Sequence, residues 1–271
     1  MKIGCMVWMI GNLDLDFWEQ IEWIREHGFK EVSFHTCRRY IAGRGIEPDI
    51  SSRALVTRLK TALSGFSEVD VHAPFNNYDL CFVSPNPLIR QASVQTLAES
   101  MRFAAEIEAK TVTFHTGASG SAMSGEEWKD NLKRSLVELD VIAGKEGVRL
   151  GIELESDYQV LEEAGVRQVG LTIDTGHLSL NNGAGYREFG TIGGVIRRFS
   201  DRIFHLHIHD YDGKSDHLAP GKGSIDFQEI VSALKEIKYR GSLCLELNPE
   251  RNSTEDWLKS RDFTKSLVSE G

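Results

Sequence analysis

Eight strand-like runs alternate with helical segments along the chain, and this alternation most constrains its fold. The runs cover residues 3–8, 31–35, 69–72, 111–115, 150–154, 169–174, 203–209 and 242–247. Between them, apolar residues recur at helical spacing, as in Phe17, Ile21 and Ile24. Repeated strand–helix units in a chain of 271 residues predict a single-domain (β/α)₈ barrel over residues 1–271. A doubly wound sheet is the alternative, but no glycine-rich phosphate fingerprint follows the first run.

Composition narrows the classes of function. A hydrophobic fraction of 41% with 26% charged residues is typical of a globular protein with an ample core. The net charge of −9 argues against a nucleic-acid partner. The four cysteines show no CxxC spacing and no secretory signal is evident, so we expect a reduced, cytoplasmic setting. No run approaches the ~18 apolar residues of a membrane span.

The seventh run alternates apolar and imidazole side chains. Phe204, Leu206 and Ile208 alternate with His205, His207 and His209. Successive side chains of a strand point to opposite faces, so the histidines share one face. The apolar face suits packing against helices. The histidine face therefore looks into a second crowded place, either a polar core or a metal site.

The same parity in the other runs places one ionisable residue of each on the barrel interior, near the carboxyl end of the strand. These residues are His72, His115, Glu153, Asp174, His207 and Glu246. Barrels of this kind keep their active sites at that end. Converging carboxylates repel one another and are costly to desolvate, and a divalent cation resolves the conflict. Carboxylates mixed with imidazole suit Mn²⁺, Zn²⁺, Co²⁺ or Mg²⁺.

Other polar residues have plainer interpretations. His35, His205 and His209 are interpreted as hydrogen-bonded core groups, and His27 as a surface or capping residue. Arg38, Arg39 and Arg44 are expected in a solvated loop, with anion binding as the alternative. Trp8 could stack on a sugar face or plug the barrel, and Gly221-Lys222-Gly223 alone is a weak phosphate signal.

Together these segments resemble the xylose isomerase-like TIM-barrel superfamily. The motifs are Val71-His72-Ala73-Pro74, Phe114-His115-Thr116-Gly117, Gly151-Ile152-Glu153, Ile173-Asp174-Thr175-Gly176-His177, Leu206-His207-Ile208-His209-Asp210 and Leu245-Glu246. They occur in the order of the family, and segment 212–226 looks most like the sugar or sugar-phosphate isomerase/epimerase branch. The expected partner is therefore a small sugar or sugar phosphate.

In the ketose 3-epimerases of that superfamily, one divalent ion is held by two glutamates, an aspartate and a histidine. The matching positions are Glu153, Glu246, Asp174 and His207. The resemblance implies proton transfer beside a carbonyl through an enediolate, with the two glutamates removing and returning the proton. His177 and Lys222 could then hold hydroxyls or a phosphate, with His72 and His115 as outer or substrate-contacting groups.

The abasic-site endonuclease branch of the superfamily uses three zinc ions instead. Its additional ligands match His72, His115, His177 and His217. An aspartate expected two residues before the last histidine is replaced by Ser215, with Asp216 one residue off. This departure and the acidic net charge favour the isomerase/epimerase branch.

Two further hypotheses about function remain open from the sequence alone. One is a metal- or sugar-binding barrel without turnover, and the other is a dehydratase acting on a cyclic polyol through similar enolate chemistry. The sugar, the metal and its number, and whether the chain forms a homo-oligomer are not fixed by these motifs. Substrate choice is expected to depend on loops 36–49 and 76–86.

Overall fold

The structure, a computed structural model, describes residues 1–8, 13–36, 46, 48–74, 80–117 and 124–269. The predicted arginine loop with Arg38, Arg39 and Arg44 lies outside the described residues, as do parts of the loops 36–49 and 76–86. Among the described helices, none is both long enough and apolar enough to cross a membrane.

Parallel strands close into a barrel in which each strand pairs with the next and the last pairs with the first. The strands are β1 (Lys2–Met6), β2 (Glu31–His35), β3 (Glu68–His72), β4 (Thr111–His115), β5 (Arg149–Glu153), β6 (Val169–Asp174), β7 (Ile203–Ile208) and β8 (Ser242–Leu245). The predicted runs 31–35, 111–115 and 169–174 coincide with strands, and the others differ only at their ends. The predicted (β/α)₈ barrel is confirmed.

Helices surround the barrel and connect its strands. They are α1 (Phe17–Glu26), α2 (Arg53–Leu63), α3 (Pro87–Glu106), α4 (Gly125–Glu146), α5 (Val160–Ala164), α6 (Thr175–Gly183), α7 (Ile192–Arg198), α8 (Phe227–Glu236) and α9 (Thr254–Ser269), with a 3₁₀ turn at Arg187–Phe189. The short helix α5 begins only at Val160, after Asp157, which has a left-handed φ of 55°. The regular turns of α6 end before Asn181 and Asn182, which adopt left-handed φ values of 52° and 58°.

Helix ends follow local sequence signals. The Asp16 side chain accepts hydrogen bonds from two amides of the first turn of α1, and Glu19 bonds back to the Asp16 amide, forming a capping box. Asn86 caps α3 through the Leu88 amide at 3.0 Å, and Pro87 follows at the first helical position. These caps fix where each helix starts on the rim of the barrel.

The two faces of the strands separate as the period of two predicts. Val71, Phe114 and Ile152 are fully buried in the layer between barrel and helices, where each contributes about 1.5–3 kcal/mol of burial free energy. The opposite faces point into the barrel. The parallel register sets His115 level with Glu153, and Asp174 level with His207. Polar side chains of neighbouring strands therefore meet at the carboxyl-end opening, called the mouth below.

Candidate metal centre

Four side chains, three from β5, β6 and β7 and one from the residue after β8, converge at the mouth and form what we call the mouth centre. They are Glu153, Asp174, His207 and Glu246, whose ligand atoms all lie within 4.8 Å of one another. All four are buried. His207 Nδ1 lies 2.9 Å from Glu153 Oε1 and 2.9 Å from Glu246 Oε2, and 3.9 Å from Asp174 Oδ2. One imidazole nitrogen thus faces three carboxylates.

The electrostatics of this group depend on its neighbours more than on burial. Burial acts to raise the pKa of Glu153, but surrounding histidines hold that pKa well below its ordinary value. Burial likewise acts against ionised Glu246, and His207 holds the Glu246 pKa low. Burial acts to lower the pKa of His207, but the two glutamates raise it well above its ordinary value. The carboxylates are therefore kept as anions by positive charge placed between them.

The donor set fits a divalent cation. Among the residues that the structure describes, no partner forms a well-aligned hydrogen bond with Glu153 Oε1, Asp174 Oδ2 or His207 Nδ1. Buried polar atoms normally form hydrogen bonds. Three buried potential metal ligands that lie close together without such bonds therefore require an explanation. Carboxylate oxygens with one imidazole are ligands that Mn²⁺, Co²⁺, Zn²⁺ and Mg²⁺ accept.

Asp174 is oriented by its position at the junction of β6 and α6. As the N-cap of α6, its Oδ1 accepts a hydrogen bond of 2.7 Å from the His177 amide. The same oxygen lies 2.7 Å from His209 Nε2. His209 Nδ1 accepts from the His217 amide at 2.8 Å, so the proton of neutral His209 sits on Nε2, towards Asp174. These contacts leave Asp174 Oδ2 between His177 Nδ1, at 3.4 Å, and His207 Nδ1, at 3.9 Å.

Gly176 makes this orientation sterically feasible. A Cβ atom at this position would lie 1.9 Å from Cε1 of His209. Only glycine lets the His209 ring pack against the start of α6. Neither Gly176 nor the contact of His209 with Asp174 was predicted from the sequence. His209 is fully buried, as expected of a core group, and it also contacts the mouth centre.

Two other predicted histidines also lie beside the Glu153 carboxylate. His115 Nε2 lies 3.5 Å from Glu153 Oε2, and His72 Nε2 lies 3.7 Å from Glu153 Oε1. The three side chains form a second group with ligand atoms within 4.8 Å of one another. Burial lowers the pKa of His115 to about 4, so its ring is neutral at pH 7. A neutral ring can accept or donate a hydrogen bond.

A third group contains the other two predicted histidines. His177, His217 and His209 offer ligand atoms within 4.8 Å of Asp174. His177 Nδ1 lies 3.1 Å from Glu153 Oε2, and the Asp174, Glu153 and Glu246 carboxylates raise the pKa of His177 to about 10 against the opposing effect of burial. The ring of His217 stacks on His209 at 4.0 Å between centroids.

The sequence departure at Ser215 has a structural counterpart. Asp216, not Ser215, contacts the histidine, with Oδ1 3.2 Å from His217 Nδ1. Arg251 Nη1 lies 3.1 Å from the same oxygen. This carboxylate is therefore shared between the histidine and an arginine.

The remaining predicted residues lie at the periphery. Lys222 Nζ is 2.8 Å from an Asp256 carboxylate oxygen, so its charge is already paired. The Trp8 ring contacts His217 edge-on, with centroids 4.9 Å apart. His27 lies away from the mouth, with Nδ1 2.7 Å from the Trp23 carbonyl oxygen. Roles in substrate binding for Lys222 and Trp8 stay predictions.

Asp210 was missed by the sequence interpretation, although it holds the loop that carries His217 and Lys222. It is 1% exposed and accepts hydrogen bonds from a set of backbone amides. These amides are Tyr211 (2.8 Å), Gly221 (2.9 Å), Gly223 (2.8 Å) and Ile225 (3.1 Å). The only local signal was an aspartate directly after the histidine run.

Comparison with known proteins identifies the family. A family model described as a xylose isomerase-like TIM barrel matches residues 21–267. The chain belongs to this family, and the predicted resemblance is confirmed.

Individual relatives give narrower comparisons. An uncharacterized protein of Methanocaldococcus jannaschii is 30% identical over 216 residues, covering 74% of this chain and 70% of that protein. A D-psicose 3-epimerase of Enterocloster bolteae is 31% identical over 125 residues, covering 42% of this chain and 38% of that protein. A solved D-psicose 3-epimerase from Clostridium cellulolyticum H10, crystallised with D-tagatose, has a TM-score of 0.79 at 17% identity and covers 99% of each chain. The last match shows a shared fold.

Proposed function

We propose that the protein is a divalent-metal-dependent isomerase or epimerase of a small sugar or sugar phosphate. The observation that carries the proposal is the placement of Glu153 and Glu246 at the same distance, 2.9 Å, from one nitrogen of His207. Two carboxylates that flank one position can remove and return a proton at a single carbon. The epimerases among the compared proteins support this chemistry.

Glu153, Asp174, Glu246 and the Nδ1 atom of His207 would hold the metal. A bound divalent ion would supply the electrophilic stabilisation that lowers the free energy of an enediolate. The carboxylate of Asp174 serves only as a holding group, because its other oxygen is occupied by the His177 amide.

The proton transfers are assigned to the two glutamates. Each has a second carboxylate oxygen beyond the one that faces His207. One glutamate would take the proton from the carbon beside the carbonyl, and the other would return a proton to the same or the neighbouring carbon. The low pKa of both groups keeps them as anions at rest, so either can act as the base, and the glutamate that returns a proton must first take one from water.

Hydroxyl recognition is assigned to the surrounding imidazoles. His115 and His177 both face Glu153 Oε2, at 3.5 Å and 3.1 Å. Neutral His115 could accept from a sugar hydroxyl, whereas protonated His177 could donate to a carbonyl or hydroxyl oxygen. A polyhydroxylated substrate would thus find donors and acceptors next to the proposed base.

A zinc-dependent phosphodiesterase of the abasic-site endonuclease type is the second candidate. It is favoured by the two additional histidine groups, whose ligand atoms could hold further ions. The net charge of −9 opposes binding to a DNA backbone. Cleavage of abasic DNA by the zinc-loaded protein would replace the first proposal with this one.

The test is exchange of solvent deuterium into ketoses and their phosphates, followed by proton NMR. The metal-loaded protein should exchange the hydrogen beside the carbonyl, and Glu153→Gln or Glu246→Gln should slow exchange by about 10²–10⁴-fold. The exposed neighbours Glu155 and Glu250 provide matched controls, Glu155→Gln and Glu250→Gln, which should exchange normally. A product lacking a hydroxyl would indicate a dehydratase. Sugar binding without exchange would indicate a binding barrel and contradict the proposal.

A further inference from the structure

A further group of potential metal ligands lies inside the barrel below the mouth centre, with His205 and Cys244 two residues before His207 and Glu246. We call Glu31, His205 and Cys244 the floor cluster. They come from β2, β7 and β8, and their ligand atoms lie within 4.8 Å of one another. None is more than 3% exposed. None of these residues belongs to the set assigned to the proposed function.

Gly4 of β1 is what allows Glu31 to reach Cys244. In the barrel register, Gly4 pairs with Glu31 on one side and with Cys244 on the other. A Cβ atom at Gly4 would lie 2.1 Å from Glu31 Oε2. The carboxylate therefore lies over the bare backbone of β1, directed towards the neighbouring strand.

Two atoms of the floor cluster are buried without hydrogen bonds. Among the described residues, neither Glu31 Oε2 nor His205 Nε2 has a partner in a well-formed hydrogen bond. His205 Nε2 lies 3.3 Å from Glu31 Oε1. Leaving a buried polar atom without a hydrogen bond is unfavourable, so a ligand bound between these atoms would stabilise the fold.

The other acids of the floor are already satisfied. Asp70 accepts from the Ser33 hydroxyl at 2.8 Å and the Thr113 hydroxyl at 3.2 Å. Glu68 pairs with Lys2 at 2.6 Å. The Ser242 hydroxyl, which also lies beside Glu31, donates to Glu68. Glu31 is thus the floor acid that retains an oxygen without a hydrogen bond.

We propose that Glu31, His205 and Cys244 bind one Zn²⁺ ion at the barrel floor, separately from the ion at the mouth. A thiolate with an imidazole and a carboxylate is a soft, mixed donor set that suits Zn²⁺ and disfavours Mg²⁺ or Mn²⁺. Thiolate and carboxylate together balance the charge of a divalent ion. Asp70 Oδ2 lies 3.9 Å from His205 Nε2 but already accepts from the Ser33 hydroxyl, so Glu31, His205 and Cys244 supply the protein ligands.

This ion would link β2 to β7 and β8, which are far from β2 in the sequence. In the barrel, β1 lies between β2 and β8. A structural zinc site adds its binding free energy to folding. The floor ion is therefore structural, whereas the mouth ion is assigned to the reaction.

Cobalt distinguishes the two sites because only one contains sulfur. The protein is produced with Co²⁺ in the medium, so that the buried site fills during folding. Its absorption spectrum and cobalt content per chain are then measured. We expect a thiolate-to-cobalt charge-transfer band in the wild-type protein. Cys244→Ala should abolish the band and lower the cobalt content by one ion.

Cys5→Ala is the matched control. Cys5 is equally buried, on the adjacent strand, but it faces the apolar layer between barrel and helices, whereas Cys244 faces the barrel interior. This variant should keep the band. Glu246→Gln should also keep it while losing deuterium exchange, so that failure of the mouth proposal and failure of the floor proposal are separable. Should Cys244→Ala fail to fold, His205→Gln should weaken the band in its place. Absence of the band in the wild-type protein, or its persistence in Cys244→Ala, would overturn the proposal.

Discussion

The mouth and the floor of the barrel both contain buried glutamates, but the pKa values of these glutamates are shifted in opposite directions. At the mouth, histidines surround Glu153 and hold its pKa well below the ordinary value. At the floor, burial and the carboxylates of Asp70 and Glu68 raise the pKa of Glu31 well above it. Both glutamates are almost fully buried. Since burial raises the pKa of both acids, the charge of their neighbours accounts for the opposite net shifts.

The difference has a chemical consequence. The mouth keeps its carboxylates ready as anions, which suits a base that must act repeatedly. The floor makes an anion costly at Glu31 unless a positive charge arrives with it. A permanently bound ion is therefore useful at the floor, and an ion accessible to substrate is useful at the mouth.

The mouth differs from the floor in that one of its histidines, His217, lies on the β7–α8 loop, whereas the floor residues lie on strands. We therefore expect the largest effect when this loop loses its anchor, Asp210. Asp210→Ala would remove the buried acceptor shared by several amides of the β7–α8 loop. We expect a loss of about 3–5 kcal/mol in the free energy of unfolding, measured with denaturant. Faster hydrogen exchange should appear at the Gly221, Gly223 and Ile225 amides.

The control Asp212→Ala removes an exposed acid that caps the Lys214 and Ser215 amides, and should cost about 1 kcal/mol or less. Equal losses in the two variants would contradict this role of Asp210.

Much of the fold was predictable because strand parity is a local property. The alternation in Phe204–Ile208 and in the other strands assigns each side chain to a face without knowledge of the neighbours. From that rule the sequence alone predicts that Glu153, Asp174, His207 and Glu246 lie at the same end of the barrel.

The remaining features depend on contacts between distant segments. The role of Asp210 requires the chain to return to it at Leu218 and beyond. The role of Gly176 requires His209 to pack against it, and the direction of Glu31 requires Gly4 on another strand. No local period contains this information, so the sequence did not predict these roles.

At the floor, the space above Gly4 can be tested directly. Gly4→Ala would place a Cβ atom 2.1 Å from Glu31 Oε2, and we expect a loss of about 1–3 kcal/mol in unfolding free energy. The penalty should shrink in a Glu31→Ala background, since the clash is with that side chain. Gly144→Ala, which adds only an ordinary contact at 3.7 Å on α4, should be neutral or stabilising. An unchanged Gly4 penalty without Glu31 would refute the steric argument.

At the mouth, Gly176 corresponds to Gly4 at the floor, and we expect its replacement to lower the affinity for the metal. Gly176→Ala would push His209 away from Asp174. Loss of such an outer contact typically lowers metal affinity by about 10–100-fold. Titration of the metal-free variant with Mn²⁺ measures the effect, again with Gly144→Ala as the control. Unaltered affinity would mean that His209 does not orient the ligand.

The smallest effect is expected at an ion pair outside both regions. Arg198 of α7 binds Glu162 of α5 through two contacts of 2.9 Å and 3.0 Å, with both side chains substantially exposed. Arg198→Ala should cost about 0.2–1 kcal/mol, and less at high salt. Denaturant unfolding at two salt concentrations measures it. A larger, salt-independent loss would show that packing of the arginine stem, not charge, holds these helices together.

The central claim is that the mouth centre performs proton transfer only with its ion bound. The most direct measurement follows deuterium exchange into a ketose substrate while Mn²⁺ is titrated into chelator-treated protein. Exchange should be absent at the start and rise in proportion to the ion bound, and Asp174→Ala should neither bind the ion tightly nor exchange. Full exchange in the metal-free protein would contradict the account.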